Sequence, residues 1–282
     1  MPFTGPFDWD AWLAYHSARA IPGVEHVSAG TYRRTIAVGD AVGAIELTRD
    51  GPDEMALGVT LTRPSDEGEV IDRVRAMAAL DADPTVATAA LAGDPLLGPL
   101  MSARRGLRVP GTWDPFEVGV RAIVGQQVSV AGATTVTGRI VERHGPVVAA
   151  QAWPGLHRAF PSAATLADAD LAGLGLTGAR VAAISTFAGA VADGTVRLDR
   201  SVGLEELIAS LASLRGLGPW TAHYIALRMG EPDAFPATDL VLRRSADALL
   251  AAPDGASLAA RAEAWRPWRA LAAVHLWAAA AT

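Results

Sequence analysis

The sequence predicts an α+β protein: an N-terminal antiparallel α+β domain followed by two mostly helical domains. Three observations carry that reading. Three short β-type runs, Thr31–Val38, 43–48 and Met55–Leu61, are separated by turn signals at Gly39-Asp40 and Asp50-Gly51-Pro52. From about residue 83 onward apolar residues recur at helical spacing almost throughout. Late in the chain, Leu214-Arg215-Gly216-Leu217-Gly218-Pro219-Trp220-Thr221-Ala222 joins two of these helical patterns by a glycine-punctuated turn.

The elements follow in order. Asp8 caps a first helix whose apolar residues Trp9, Trp12 and Leu13 share a face, and Pro22-Gly23 ends it. Pro64 closes the last strand. A helix from about Asp66 to residue 80 carries Val70, Val74 and Met77 on one side. Further helices are expected over 84–92, 114–124, 127–143, 163–172, 178–193, 203–214, 219–229, 239–250, 257–264 and 267–279. Loops such as Val109-Pro110-Gly111-Thr112, Trp153-Pro154-Gly155 and Glu231-Pro232-Asp233 punctuate them. The expected division is 1–83 for the α+β domain and 84–282 for the helical region. Within the latter, 113–230 holds the hairpin, and 84–112 and 231–282 make up the remainder.

Composition narrows the function classes. A chain of 282 residues, half of them hydrophobic, has room for two or three compact cores. No apolar run reaches the ~18 residues of a membrane span. Met1-Pro2-Phe3-Thr4-Gly5 lacks the basic and apolar regions of a signal peptide, so a cytoplasmic location without membrane contact is expected. Cysteine is absent, which excludes a disulfide, an iron–sulfur cluster and a thiol nucleophile within the chain. Lysine is absent too: all 24 basic residues are Arg, so no lysine Schiff base can form. The net charge of −6 argues against non-specific nucleic-acid binding. It is unevenly spread, however. Residues 1–99 carry 15 acidic residues and 7 Arg; residues 100–282 carry 15 and 17. Any DNA face should therefore lie on the second part, where Arg104, Arg105, Arg108, Arg121, Arg139 and Arg143 form a locally basic stretch. The six His residues show no zinc spacing.

The hairpin and a following aspartate carry the chemistry. Leu204, Leu207, Ile208, Leu211 and Leu214 form an apolar stripe. Gly216 and Gly218 then allow a turn that a side chain would block, and Pro219 suits the first turn of the next helix. The result is a helix–hairpin–helix whose backbone N–H groups near Gly216, Gly218, Trp220 and Thr221 can hold a phosphate without reading sequence. A plain αα-hairpin would also satisfy the pattern. Asp239, in Pro236-Ala237-Thr238-Asp239-Leu240, reads as a helix N-cap. That role is compatible with a catalytic one, since a cap fixes a carboxylate on a rigid element. Nineteen residues from Trp220 to Asp239 leave room for one helix and a return loop.

These residues together resemble the helix–hairpin–helix DNA glycosylases, and among them the bacterial alkylation-repair type, the DNA-3-methyladenine glycosylases II. The resemblance extends over nearly the whole chain: Pro6-Phe7-Asp8-Trp9, Ala18-Arg19-Ala20, Leu107-Arg108-Val109-Pro110-Gly111, Gly119 through Gln126, Trp220-Thr221-Ala222, Trp265-Arg266-Pro267-Trp268-Arg269 and His275-Leu276-Trp277. It implies hydrolysis of the N-glycosidic bond of an alkylated base flipped from double-stranded DNA, by a monomer without a required cofactor. It assigns Asp239 as the carboxylate that stabilises an oxocarbenium-like sugar. It carries Tyr15, Trp220, Tyr224 and Trp277 over as walls of the base pocket, while core packing is expected for Trp9, Trp12 and Trp265. Gln126 and Gln127 fall at the helix–helix joint that meets DNA. Gln127 stands where the well-known family member has a leucine, so a polar residue would fill the gap left by the base. Bifunctional relatives carry Lys just before the Thr-Ala of the hairpin; Trp220 stands there instead, which implies no strand cleavage. The family hairpin also holds a Na+ or K+ ion on backbone carbonyls, here those of Ala212, Leu214 and Leu217. A non-catalytic hairpin DNA-binding protein, with Asp239 only a cap, remains the alternative. So does one part of a larger regulator, since such domains can be fused to alkyl-transfer modules.

Overall fold

The computed structural model describes residues 1–63, 67–148, 153, 155–250 and 257–281. A helix α1 (Trp9–Ser17) precedes a four-stranded antiparallel meander, β1 (Glu25–Ser28), β2 (Thr31–Val38), β3 (Ala41–Arg49) and β4 (Met55–Leu61), in the order β1-β2-β3-β4. Helices follow: α2 (Glu67–Met77), α3 (Pro84–Ala90), α4 (Leu97–Ala103), α5 (Pro115–Val124), α6 (Val130–His144), α7 (Ala163–Ala167), α8 (Gly178–Ala192), α9 (Leu204–Ser213), α10 (Pro219–Arg228), α11 (Leu240–Leu249), α12 (Leu258–Ala262) and α13 (Arg269–Ala280). The α+β class and the helical remainder agree with expectation. None of the described helices is long and apolar enough to cross a membrane.

Local chemistry explains where the elements differ from the sequence reading. Strand β1 escaped notice because Glu-His-Val-Ser holds one apolar residue. It exists because Ala29 (φ 49°) and Gly30 (φ 77°) turn the chain back so that Ser28 pairs with Thr31. Helix α4 contains Gly98 and Pro99, which read as loop punctuation. Pro99 lies in the first turn, where no N–H is needed, and a Cβ at Gly98 would lie 2.5 Å from the Ala92 carbonyl oxygen. Helix α6 starts at Val130, not 127. Gln127 is left-handed (φ 57°), and the Ser129 hydroxyl caps the helix by accepting from the Gly132 N–H at 3.1 Å. Helix α7 stops at Ala167, short of 172, and Asp170 instead caps a turn through the Ala172 N–H. Pro64, Asp66 and Pro154 lie outside the described residues.

Two apolar cores interlock. One joins α1, the sheet and α2 through Trp12, Tyr32, Ile36, Val70 and Val74, and it takes in Trp113 from just before α5. The other centres on α5 between α8 and α10, and it takes in Ile21 and Val24 from the loop after α1. Gly119 sets the approach of α5 to α8: a Cβ there would lie 2.4 Å from the Phe187 ring. Trp9, Trp12 and Trp265 are all buried, as core packing requires. Helix α13 rests against α4 and α11. The Trp265 indole N–H, just before α13, donates to Asp94 at 2.7 Å, and Arg269 holds Asp233 and Glu263 at 2.7 and 2.9 Å.

Where the sheet meets α5, the buried charges of Glu25, Arg34 and Glu117 meet that of half-buried Arg121. Arg34 pairs with Glu117 at 2.6 Å, and Arg121 bridges Glu117 (3.1 Å) and Glu25 (2.9 Å). Glu25 also accepts from the Tyr32 hydroxyl and the Ile21 N–H. Two cations balance two anions, so the cluster is neutral as a unit. Burial pushes the Glu25 carboxyl up, but Arg121, the His16 contact and Arg34 together hold it well below the usual range. Beside it His16 is 7% exposed, and burial pulls its imidazole down to about 4. Of the basic stretch on the second part, Arg108 is buried, Arg104 and Arg121 are half-buried, and Arg105, Arg139 and Arg143 are exposed. Arg108 is 4% exposed among backbone carbonyls, Arg121 serves this cluster, and Arg139 and Arg143 bond to carbonyls of the α7–α8 segment.

Glu117→Gln strands Arg34 in the interior and should lower the unfolding free energy by about 3–5 kcal/mol in urea titration. The apolar pair Arg34→Met with Glu117→Leu should recover most of it. Neutral His16 also sets a pH dependence. Below the unfolded value of roughly 6.5 the unfolded chain takes a proton that the native site refuses down to about 4. Stability is therefore complete above pH 6.5 and falls as pH drops. Chemical denaturation at pH 7 and pH 5 should differ by about 2 kcal/mol, a difference that His16→Phe diminishes.

Candidate active site

The turn between α9 and α10 is built as the glycines demand at one position only. Gly216 is left-handed (φ 95°), and a Cβ there would lie 2.6 Å from that of Ala183 on α8. Gly218 has an ordinary φ of −86° and nothing within 4 Å of a Cβ, so the turn itself does not require it. What its missing side chain leaves is open space before α10. Gly218 is the N-cap of α10 and supplies no side-chain acceptor, so the first amides of that helix face outward uncapped. Gln126 ties the α5–α6 joint to this turn, donating to the Gly216 carbonyl (3.0 Å) and the Thr221 hydroxyl (3.3 Å). Thr221 is 2% exposed, so its side chain braces the hairpin from below rather than facing outward. Gln127 is exposed at the tip of the joint. Ala212, Leu214 and Leu217 lie where α9 ends, and the Leu214 carbonyl accepts from the Leu217 N–H at 3.1 Å. Exposed Arg215 sits on the turn, and exposed Arg243 and Arg244 lie on α11, supplying positive charge on this part of the surface.

Asp239 lies against the hairpin. As N-cap of α11 its Oδ1 accepts from the Leu242 N–H at 2.9 Å. The Trp220 indole N–H donates to Oδ2 at 2.8 Å, and the Trp277 indole N–H to Oδ1 at 3.2 Å. Three donors from α11, α10 and α13 thus fix both oxygens of a half-buried carboxylate.

The four aromatic residues converge. Trp220 and Tyr224 stack at 5.3 Å and 13°, one helical turn apart on α10, and Trp277 meets Tyr224 edge-on at 6.2 Å. Tyr15 arrives from α1, its hydroxyl 3.5 Å from that of Tyr224. With Asp239 they line a cavity of about 850 Å³ between the sheet-bearing and helical parts. Val128, Val130 and Val241, each 42–48% exposed, lie along the same cavity, an apolar surface with no partner in the free chain. Among the described residues no group of three or more His, Asp or Glu is placed to hold a metal.

One residue of the site went unmarked in the sequence. Arg228, 3% exposed, completes the Trp220–Tyr224–Arg228 stripe at i, i+4, i+8 on α10, the spacing that would have revealed it. Its guanidinium lies 4.4 Å from the Tyr15 ring centroid, 5.1 Å from Tyr224 and 5.6 Å from Trp277. Burial tends to raise both phenols. For Tyr15 it prevails, whereas Arg228 and Arg19 hold the Tyr224 phenol below its usual range.

Comparison with known proteins identifies the family. Residues 1–114 match the family model described as the AlkA N-terminal domain, and residues 120–270 that of the HhH-GPD superfamily base excision DNA repair proteins. The chain is 37% identical over 278 residues to the "Probable bifunctional transcriptional activator/DNA repair enzyme AlkA" of Mycobacterium tuberculosis. That alignment takes in 98% of this chain and 56% of the relative, so the chain spans about half the relative's length. It is 32% identical over 277 residues to the DNA-3-methyladenine glycosylase 2 of Escherichia coli, covering 96% of this chain and 94% of that one. The structure of a 3-methyladenine DNA-glycosylase from Archaeoglobus fulgidus shares the fold, with a TM-score of 0.86 at 22% identity over 100% of this chain and 98% of that one. With a matching model over more than half its length and such relatives, the chain belongs to the HhH-GPD superfamily of base excision DNA repair proteins.

Proposed function

We propose that this chain is a monofunctional DNA glycosylase that removes alkylated bases, 3-methyladenine and 7-methylguanine among them, from double-stranded DNA. The observation that carries the reading is Asp239: a carboxylate held by two indoles and a helix N-terminus, lining an aromatic cavity beside an uncapped glycine hairpin. The amides around Gly216 and Gly218 take a DNA phosphate, and the open space at Gly218 admits it. The target base leaves the stack for the cavity and lies among Trp220, Tyr224, Trp277 and Tyr15, whose electron-rich faces suit an electron-poor base. Gln127, exposed at a left-handed backbone position, enters the gap, with Gln126 steadying the joint beneath it. The C1′–N bond then breaks with both electrons leaving on the base. Asp239 stabilises the positive charge that appears on the sugar, and water captures C1′. An alkylated base that begins cationic leaves neutral, so no general acid is needed. A Na+ or K+ ion on the carbonyls of Ala212, Leu214 and Leu217 would support the hairpin against the phosphate; it would supply no chemistry. Trp220 occupies the place of a lyase lysine, and the chain has no lysine at all. The enzyme acts as a monomer in the cytoplasm.

Base release from a methylated duplex tests this directly. Asp239→Asn should fold normally and lose excision by about three orders of magnitude, a loss comparable with removal of a preorganised transition-state stabiliser. Normal release by that variant would sink the assignment, and no release by the wild type would leave only a hairpin DNA-binding protein. The abasic product should stay uncleaved, and borohydride should trap no enzyme–DNA adduct. Gln127→Ala should weaken both lesion-duplex binding and excision, read by fluorescence anisotropy and single-turnover rates.

A further inference from the structure

Arg228 is a buried cation without an anion. Its Nη1 donates to the Pro110 carbonyl at 2.9 Å, its Nε is buried with no hydrogen-bond partner, and no carboxylate of the described residues comes within ion-pair distance. A guanidinium in the interior without a carboxylate is costly, and its further contacts are the faces of three rings and the hydroxyl of Tyr224. Those rings are the ones that line the cavity. Trp220 and Trp277 also hold the Asp239 carboxylate. Arg228 and Asp239 line the same cavity, so the aromatic wall carries a fixed negative charge and a fixed positive one.

We propose that Arg228 is a specificity-determining residue that acts electrostatically on the departing base from the wall of this cavity and disfavours cationic bases relative to neutral ones. The inference rests on the glycosylase reading above. When the C1′–N bond breaks, its electron pair passes to the base, whose charge falls by one unit: from +1 to 0 for N7-methylguanine, from 0 to −1 for a neutral lesion such as hypoxanthine. The sugar takes the positive charge beside Asp239, is captured by water, and the surplus proton passes to solvent. A cation on the base side favours this shift for every base, and Asp239 favours it on the sugar side. The same cation opposes the entry of a base that is already positive, and it draws away the ring faces such a base would use. Arg228 thus raises the chemical rate for both classes but weakens binding only of the cationic class.

The test is single-turnover excision by wild type, Arg228→Met and Arg228→Lys on duplexes carrying either N7-methylguanine or hypoxanthine. Assays at about pH 6 keep the Tyr224 phenol, which Arg228 draws down, in its neutral form. In Arg228→Met the maximal rate should fall for both substrates. Half-saturation should tighten only for N7-methylguanine, moving the ratio of specificities toward the cationic base by roughly tenfold. Arg228→Lys, which keeps the charge, should move the ratio back toward wild type. An equal loss on both substrates, or a shift toward hypoxanthine, overturns the proposal, because a merely structural role would not sort substrates by charge. If Arg228→Met does not fold, inhibition of the wild type decides. Neutral 7-methylguanine should inhibit several-fold better than the 7,9-dimethylguaninium cation, and equal inhibition overturns the idea. Absence of any base release by the wild type would instead bring down the glycosylase reading and this inference with it; release with no charge dependence removes Arg228 alone.

Discussion

Everything about the site depends on how one carboxylate is held. Asp239 accepts from the start of its own helix, from Trp220 and from Trp277, three donors lying up to 38 residues from it in sequence. Each constrains the others. Trp220 can reach only if α10 starts where the Gly216 turn places it, and Gly216 has its backbone against Ala183 because no side chain intervenes. Trp277 can reach only if α13 lies where Trp265, Asp94, Arg269 and Asp233 pin it. A carboxylate so engaged has little freedom to reorganise as charge develops near it, the condition under which electrostatic stabilisation is most effective.

The sheet-bearing part closes the cavity rather than standing apart from it. Tyr15 brings α1 to within 3.5 Å of Tyr224, across 209 residues of sequence. Beneath it the Arg34–Glu117–Arg121–Glu25 cluster joins sheet to α5. Such a cluster is poor evidence for stability, since desolvation offsets most of its Coulomb attraction. Its effect is geometric: each member is satisfied only when β1, β2 and α5 meet in one register. The charges left outside that cluster, Asp239 and Arg228, both line the cavity.

Much of this was legible in one dimension. The three longer strands, most helices and the Gly-Pro-Trp turn announce themselves by periodicity and punctuation, which are local properties. Asp239 was readable because capping is local, and the aromatic wall because family resemblance marked each ring. Strand β1 and helix α4 were not: the first has one apolar residue and exists through its partner, the second hides a permitted proline in its first turn. The surroundings of each arginine were not legible either: Arg108 is buried among carbonyls, whereas Arg139 and Arg143 bond to carbonyls while staying exposed.

The amino-acid order by itself determined the helical hairpin, the absence of lysine and cysteine chemistry, and the presence of a carboxylate at a helix mouth, because each follows from residue type and short spacing. Only the tertiary structure decided that Trp220 and Trp277 grip that carboxylate, that Gly218 leaves room the turn does not need, and that Arg228 lies against the rings without a carboxylate partner among the described residues. Those are facts of distance between residues far apart along the chain, and distance of that kind is set by packing, which no local pattern records.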